Sequence, residues 1–253
     1  VSQNPNRSDF LQAWIPRGLL ELQAQHRVPA CTLEGLTPVQ IQWCEGVLED
    51  LRPLDADQSP PEHVVLPRLV DAHVHLDKAF SWQDHPNLLG TYEEALRANL
   101  VEHQSRSTEL VLFRGERALQ QAFTQGLRAV RSHIDSGGPG AASSWDALEL
   151  LQRRWQGRVE LQLVALAPLS FWTSAEAEAM ARRLAKCQGL LGGVLDPSMV
   201  GPAVDQSLKA LLELADRHGL AVDLHIDEAD RAPAQGVKQL LRALTITPVE
   251  VPI

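Results

Sequence analysis

The run Leu69-Val-Asp-Ala-His-Val-His-Leu76 opens the part of the chain from which the fold is read. It reads as a β-strand, and a regular series follows it. Residues 109–125 have a helical pattern and 127–134 a strand pattern. Residues 144–155 read as a helix opened by a serine cap, and 159–166 as a third strand. A helix over 174–187 is expected next, with Ser174 as N-cap and Glu176 and Glu178 in its first turn, where the helix dipole favours acids. Strand 190–195, helix 205–218 closed by Gly219, strand 220–226 and helix 234–244 continue the series. The run 249–253 looks like a sixth strand beginning. Repeated strand–helix order implies a parallel sheet, either a doubly wound sheet or a (β/α)8 barrel. Five units and one further strand read as a barrel incomplete in this chain. Composition alone would favour a complete open sheet of six strands.

Working backward, residues 1–66 are richer in proline, glutamine and short alternating runs, and 55–62 (DADQSPPE) read as a turn-rich linker. The expectation is a small, mostly β domain over 1–66 and a partial (β/α) barrel catalytic domain over 67–253. Of the 253 residues, 44% are hydrophobic and 22% charged, the balance of a soluble globular protein. No run approaches the roughly 18 apolar residues of a membrane helix. The polar start carries no signal peptide, and a first residue other than Met reads as a processed or cut terminus. Cys31, Cys44 and Cys187 lack metal-type pairing, so a disulfide scaffold is not expected and a reducing cytoplasm is. With 23 basic and 32 acidic residues the formal charge is −9. No basic cluster offers a nucleic-acid footprint, so neither nucleic acid nor membrane is an expected partner.

Chemistry concentrates at three predicted strand ends. In Asp71-Ala-His73-Val-His75-Leu-Asp77, alternation puts Asp71, His73, His75 and Asp77 on one strand face. Two imidazoles so spaced can share a metal ion, with flanking acids fixing their orientation; a merely solvated polar face is the bland alternative. Asp223-Leu-His225-Ile-Asp227-Glu228 repeats the pattern, and Glu228 stands where a proton carrier beside a metal could sit. In Arg131-Ser-His133-Ile-Asp135, followed by Ser136-Gly-Gly-Pro-Gly140, His133 is a candidate catalytic residue, either facing substrate or standing behind the metal-binding residues, or else half of a satisfied polar pair. The glycine loop lacks the Gly-Lys-Ser/Thr ending of a phosphate loop, and no Gly-x-Gly-x-x-Gly follows a strand. His26, His63, His85, His103 and His218 fall on loops or helices and read as ordinary. Lys78 and Arg131 near the mouth suit a polar or anionic group on a substrate, or pairing with Asp77 or Asp135.

The stretches 69–80 (LVDAHVHLDKAF), 130–137 (VRSHIDSG), 161–166 (LQLVAL) and 223–230 (DLHIDEAD) resemble the amidohydrolase superfamily, in its cytosine-deaminase-like branch. The resemblance implies a TIM-type barrel and one divalent metal, zinc or iron, held by His73, His75 and His225. It implies Glu228 as the proton shuttle and a small cyclic nitrogenous substrate whose C–N bond is hydrolysed. Members of that branch that act on cytosine carry a glutamine after the third strand; here Ala167-Pro168-Leu169-Ser170 has none, which points away from cytosine. Residues 193–197 offer no lysine for a two-metal bridge. The family's next strand histidine and late aspartate lie past Ile253, so the chain is expected to be C-terminally incomplete. The alternative to the enzyme is an inactive homologue serving as a non-catalytic module. The two open edges of a partial barrel invite pairing with another copy, a homo-oligomer.

Overall fold

A computed structural model describes residues 9–20, 31–55, 58–229 and 232–253. The chain divides into two units, Val1–Arg68 and Leu69–Ile253. Of the histidines read as ordinary, His26 lies outside the described residues.

In the first unit β1 (Asp9–Pro16), β2 (Leu36–Cys44) and β3 (Val47–Pro53) form an antiparallel sheet in that order. Glu45 and Gly46 alone join β2 to β3, and both have positive φ, at 51° and 78°. That is the backbone of a two-residue turn whose twist matches the strands it connects. Ala13 and Ile15 of β1, which alternate with half-buried neighbours, and Val39 of β2 are buried apolar side chains of this sheet.

The second unit is built on one sheet, β4 (Leu69–Val74), β5 (Leu127–Asp135), β6 (Glu160–Pro168), β7 (Leu190–Leu195) and β8 (Val222–Ile226), every adjacent pair parallel. The helices are α1 (Tyr92–Gln104) and α2 (Thr108–Thr124) between β4 and β5, and α3 (Ala141–Trp155) between β5 and β6. Then come α4 (Ala177–Cys187), α5 (Pro202–His218) and α6 (Gln235–Ile246). This is the curled sheet and helix alternation of an incomplete TIM barrel. Leu163, Val164 and Ala165 are consecutive on β6 and all fully buried, as a strand covered on both faces requires. Val111 and Leu119 of α2 and Leu148, Leu151 and Trp155 of α3 belong to the same core. Among the described residues no helix is long and apolar enough to cross a membrane.

Several expectations shift. The run 249–253 is not a strand; Val222 N–H donates to the Pro252 carbonyl, and no ladder follows. α4 starts at Ala177, because a short 3-10 turn, Leu169–Thr173, occupies the segment ahead of it; Ser174 Oγ accepts from Glu176 N–H, ahead of the helix, and does not cap it. α3 starts three residues before Ser144, whose hydroxyl lies inside the helix and accepts from Arg106. Gly219 does end α5, at φ 63°. α1 has no counterpart in the sequence reading. β4 ends at Val74, and Leu76–Lys78 form a 3-10 turn instead of continuing the strand.

That turn is anchored by buried charge. Arg106, between α1 and α2, donates to Asp77 at 2.8 Å, to Glu102 at 2.6 Å and to Asp135 at 3.0 Å, and its side chain is fully buried. Arg114 pairs with the other Glu102 oxygen at 2.5 Å. Asp77 Oδ2 also accepts from Asp135 N–H at 3.0 Å, binding the turn to the end of β5. Lys78 completes the group through Asp135 at 3.1 Å. Burial works against ionised Asp135, but the Lys78 and Arg106 charges outweigh it and hold its carboxyl at about 2.

Two predictions follow from this packing. A Cβ on Gly192 of β7 would lie 2.6 Å from Val164 Cγ1, 3.0 Å from the Ala165 carbonyl and 3.1 Å from the Asp223 carbonyl. Gly192→Val should cost about 1–3 kcal/mol of stability by chemical denaturation, as overpacking does. Arg106→Met would leave buried Asp77 without its ion-pair partner and should cost about 3–5 kcal/mol in the same measurement. A wild-type denaturation midpoint in that variant would contradict the anchoring part assigned to Arg106.

Candidate metal centre

His73 sits one residue before the end of β4, and His75 one residue past it. His225 is the next-to-last residue of β8, at the opposite side of the same sheet. On a flat sheet, four strand spacings would separate β4 from β8 by about 19 Å. Instead His73 Nε2 and His225 Nε2 are 3.2 Å apart, so the sheet is strongly curled. One ligand atom from each of His73, His75 and His225 lies within 4.8 Å of the other two. These residues are 150 apart in the chain, from His75 to His225, and are brought together by the fold alone.

Their chemistry suits a cation. Two nitrogens bound to one tetrahedral ion at about 2.0–2.1 Å stand about 3.3 Å from each other; the observed 3.2 Å fits that spacing. His75 Nδ1 faces the His133 carbonyl at 3.0 Å. A carbonyl only accepts, so Nδ1 carries the proton and Nε2 keeps its lone pair. Burial, then the Lys78 charge, holds His75 down to about 3. Burial, then the His133 and His73 rings, holds His225 down to about 4. Both imidazoles are therefore neutral near pH 7, the state a metal needs.

His133, on β5, is fully buried. Its ring stacks on His73 at 4.2 Å between centroids, 25° from coplanar, and meets His225 edge-on at 5.0 Å and 88°. Its Nε2 lies 3.0 Å from Asp223 Oδ1, and Arg131 donates to Asp223 Oδ2 at 2.6 Å. The hydrogen bond from His133, with the Arg131 charge, draws Asp223 down to about 2 although burial opposes it. Glu228 is exposed just beyond β8, and its charge, after burial, helps push the Tyr92 hydroxyl up.

The alternating acids take up other duties than the strand pattern suggests. Asp71 accepts from His73 N–H rather than from its ring. Asp77 leaves the strand face for Arg106. Asp227 adopts φ 56° and accepts from Gly236 and Val237 N–H, at 2.6 and 3.1 Å, in the first turn of α6. Among these acids, Asp223 is the one that bonds an imidazole, that of His133. Lys78 pairs with Asp135, one of the two acids expected for an internal pair, whereas Arg131 pairs with Asp223, which is neither of them. Arg106, Glu102 and Arg114 have no signal in the sequence beyond the Glu102–Arg106 spacing of one helical turn.

No family model matches the chain. It is 30% identical over 238 residues to a pterin deaminase of Rhizobium rhizogenes, covering 86% of this chain and 53% of that protein. It is 24% identical over 184 residues to an N-isopropylammelide isopropyl amidohydrolase of a Pseudomonas species, covering 70% of this chain and 45% of that one. Among solved structures, 5-methylcytosine deaminase from Klebsiella pneumoniae, liganded with 5-fluorocytosine, superposes with a TM-score of 0.72 at 19% identity, over 94% of this chain and 56% of the other. The chain thus spans about half the length of the curated relatives it matches. The motifs at 73–75 and 225–228, the parallel curled sheet and this similarity agree: the homologues of this chain are members of the amidohydrolase superfamily.

Proposed function

We propose that the chain carries the metal-binding floor of a hydrolase that cleaves a C–N bond in a cyclic amidine or amide, a deaminase or amidohydrolase. The observation that carries this is the convergence of His73, His75 and His225 from the two sides of one sheet. Relatives named for a pterin, an N-isopropylammelide and a 5-methylcytosine support a small nitrogen-ring substrate.

His73, His75 and His225 would hold one divalent ion, zinc or iron. When bound, such an ion supplies Lewis acidity, which makes water a nucleophile near neutral pH. Glu228 takes a proton from the attacking water and delivers it to the ring nitrogen beside the reacting carbon. The water oxygen bonds to that carbon, and the exocyclic C–N bond breaks. The second proton of the water departs on the leaving nitrogen, so ammonia or an amine is released and a ring carbonyl remains. The exposed position of Glu228 beyond β8 leaves its carboxylate accessible to substrate and solvent. His133, fully buried, reaches the reacting groups through the rings it packs against. Lys78 and Arg131, each spent on an internal carboxylate, leave no free cation of their own for an anionic substrate group.

Two measurements test this reading. Protein from cells grown with iron and zinc should carry about one metal per chain by ICP-MS, and His73→Ala or His225→Ala should lose it. Metal-free wild-type protein would end the proposal. Glu228→Gln should keep the metal and lose turnover by about 10²–10⁴-fold. Turnover is read as ammonia or amine release from a panel of amino-substituted pterin, pyrimidine and triazine rings. Undiminished release in that variant would remove Glu228 from the mechanism.

A further inference from the structure

We infer that His133, fastened by Asp223, is the positioning residue of the three-histidine site: it holds His73, His75 and His225 in one arrangement before any ion arrives. This rests on the ligand set proposed above and goes beyond it, since His133 is outside that set.

The argument is geometric. His133 meets each of the three by a different contact. Its main-chain carbonyl accepts from His75 Nδ1 at 3.0 Å, which fixes the tautomer of that ring. Its imidazole lies almost flat against His73, with 4.2 Å between centroids. It forms a T-shaped pair with the His225 ring at 5.0 Å between centroids. A ring that packs against two of the three histidines must itself be fixed, and the Asp223 carboxylate does this at 3.0 Å from Nε2.

Asp223 has a second consequence. It lies two residues before His225 on the same strand, so the two share a face of β8. β5 and β8 are three strand spacings apart, about 14 Å on a flat sheet. The bonds from His133 and Arg131 to Asp223 therefore exist only in the curled sheet, and they set how far β8 is drawn toward β5. Where Asp223 is held, His225 is held, and so is its distance to His73. Partners of this kind, behind the residues that bind an ion, change its affinity by about 10–100-fold when removed.

The test is equilibrium Zn²⁺ titration of metal-stripped protein against a chromophoric chelator, with the absorption spectrum of the Co²⁺-loaded protein as a second readout. Wild type should bind one Zn²⁺. Asp223→Ala and His133→Phe should bind it about 10–100-fold more weakly and alter the Co²⁺ spectrum. Asp223→Asn keeps an oxygen toward His133 and should recover part of the loss, which guards against an Asp223→Ala chain that fails to fold. Arg182→Ala, on the exposed surface, should match wild type. Wild-type Zn²⁺ affinity and Co²⁺ spectrum in both His133→Phe and Asp223→Asn overturn the positioning role and leave the metal site standing. An absence of Zn²⁺ binding by wild type overturns the metal reading, and this inference with it.

Discussion

The bonds that cross the inside of the sheet, from Arg131 and His133 on β5 to Asp223 on β8, tie together strands that are not neighbours. Ladder hydrogen bonds fix each strand only to the next one and permit a range of curvature. A charge-assisted pair reaching past two strands does not, because its length must stay near 3 Å. Curvature in turn decides whether residues on β4 and β8 can meet. The geometry of the histidine cluster is thus a consequence of how tightly the sheet is rolled, and Asp223 is the group through which the rolling is registered.

A second constraint acts on the β4 side. His75 lies past the end of its strand, where backbone alternation no longer dictates its direction. Its position depends instead on the turn that follows, which Asp77, Arg106 and the Asp135 N–H hold against β5 and the α1–α2 junction. Leu76 N–H donating to Ser132 Oγ adds a further bond to β5 at the same point. Both ends of the cluster are therefore referred to β5, one through the Arg106 group and the other through Asp223.

The order of strands and helices is legible in the sequence because period-2 and period-3.6 patterns report burial directly. The three histidine-bearing strand ends are legible for the same reason. What pattern does not report is where a chain leaves its strand. Asp77 and Asp227 continue the alternation on paper, but one enters a 3-10 turn and the other turns to left-handed φ to bond the start of α6. Residues 249–253 alternate like a strand, yet prolines at 248 and 252 interrupt the donors a ladder needs. α1 escapes notice because Leu96, Leu100 and Val101 are exposed on it while Glu102 and His103 are buried, so its polarity pattern does not mark its buried face. The Arg106 group draws on α1, the α1–α2 junction, α2, the turn after β4 and the end of β5. Only tertiary structure assembles such a set.

Pairing also answers an electrostatic objection to a cation at this site. Lys78, Arg106 and Arg131 all lie near the floor of the curled sheet, and uncompensated positive charge there would repel a divalent ion. Each of the three is bound to a carboxylate: Lys78 and Arg106 to Asp135, Arg106 also to Asp77 and Glu102, and Arg131 to Asp223. Asp135 and Asp223 are both held at about 2, so these two carboxylates stay ionised beside their cations at physiological pH. His75 and His225, kept uncharged by burial, add no positive charge of their own. The basic residues that shape the floor therefore do so without opposing a cation. Desolvation, which by itself would penalise an ion there, is outweighed by pairing at Asp135 and Asp223, while at fully buried Asp77 it prevails and raises the carboxyl to about 6; the imidazole lone pairs remain to meet the cation.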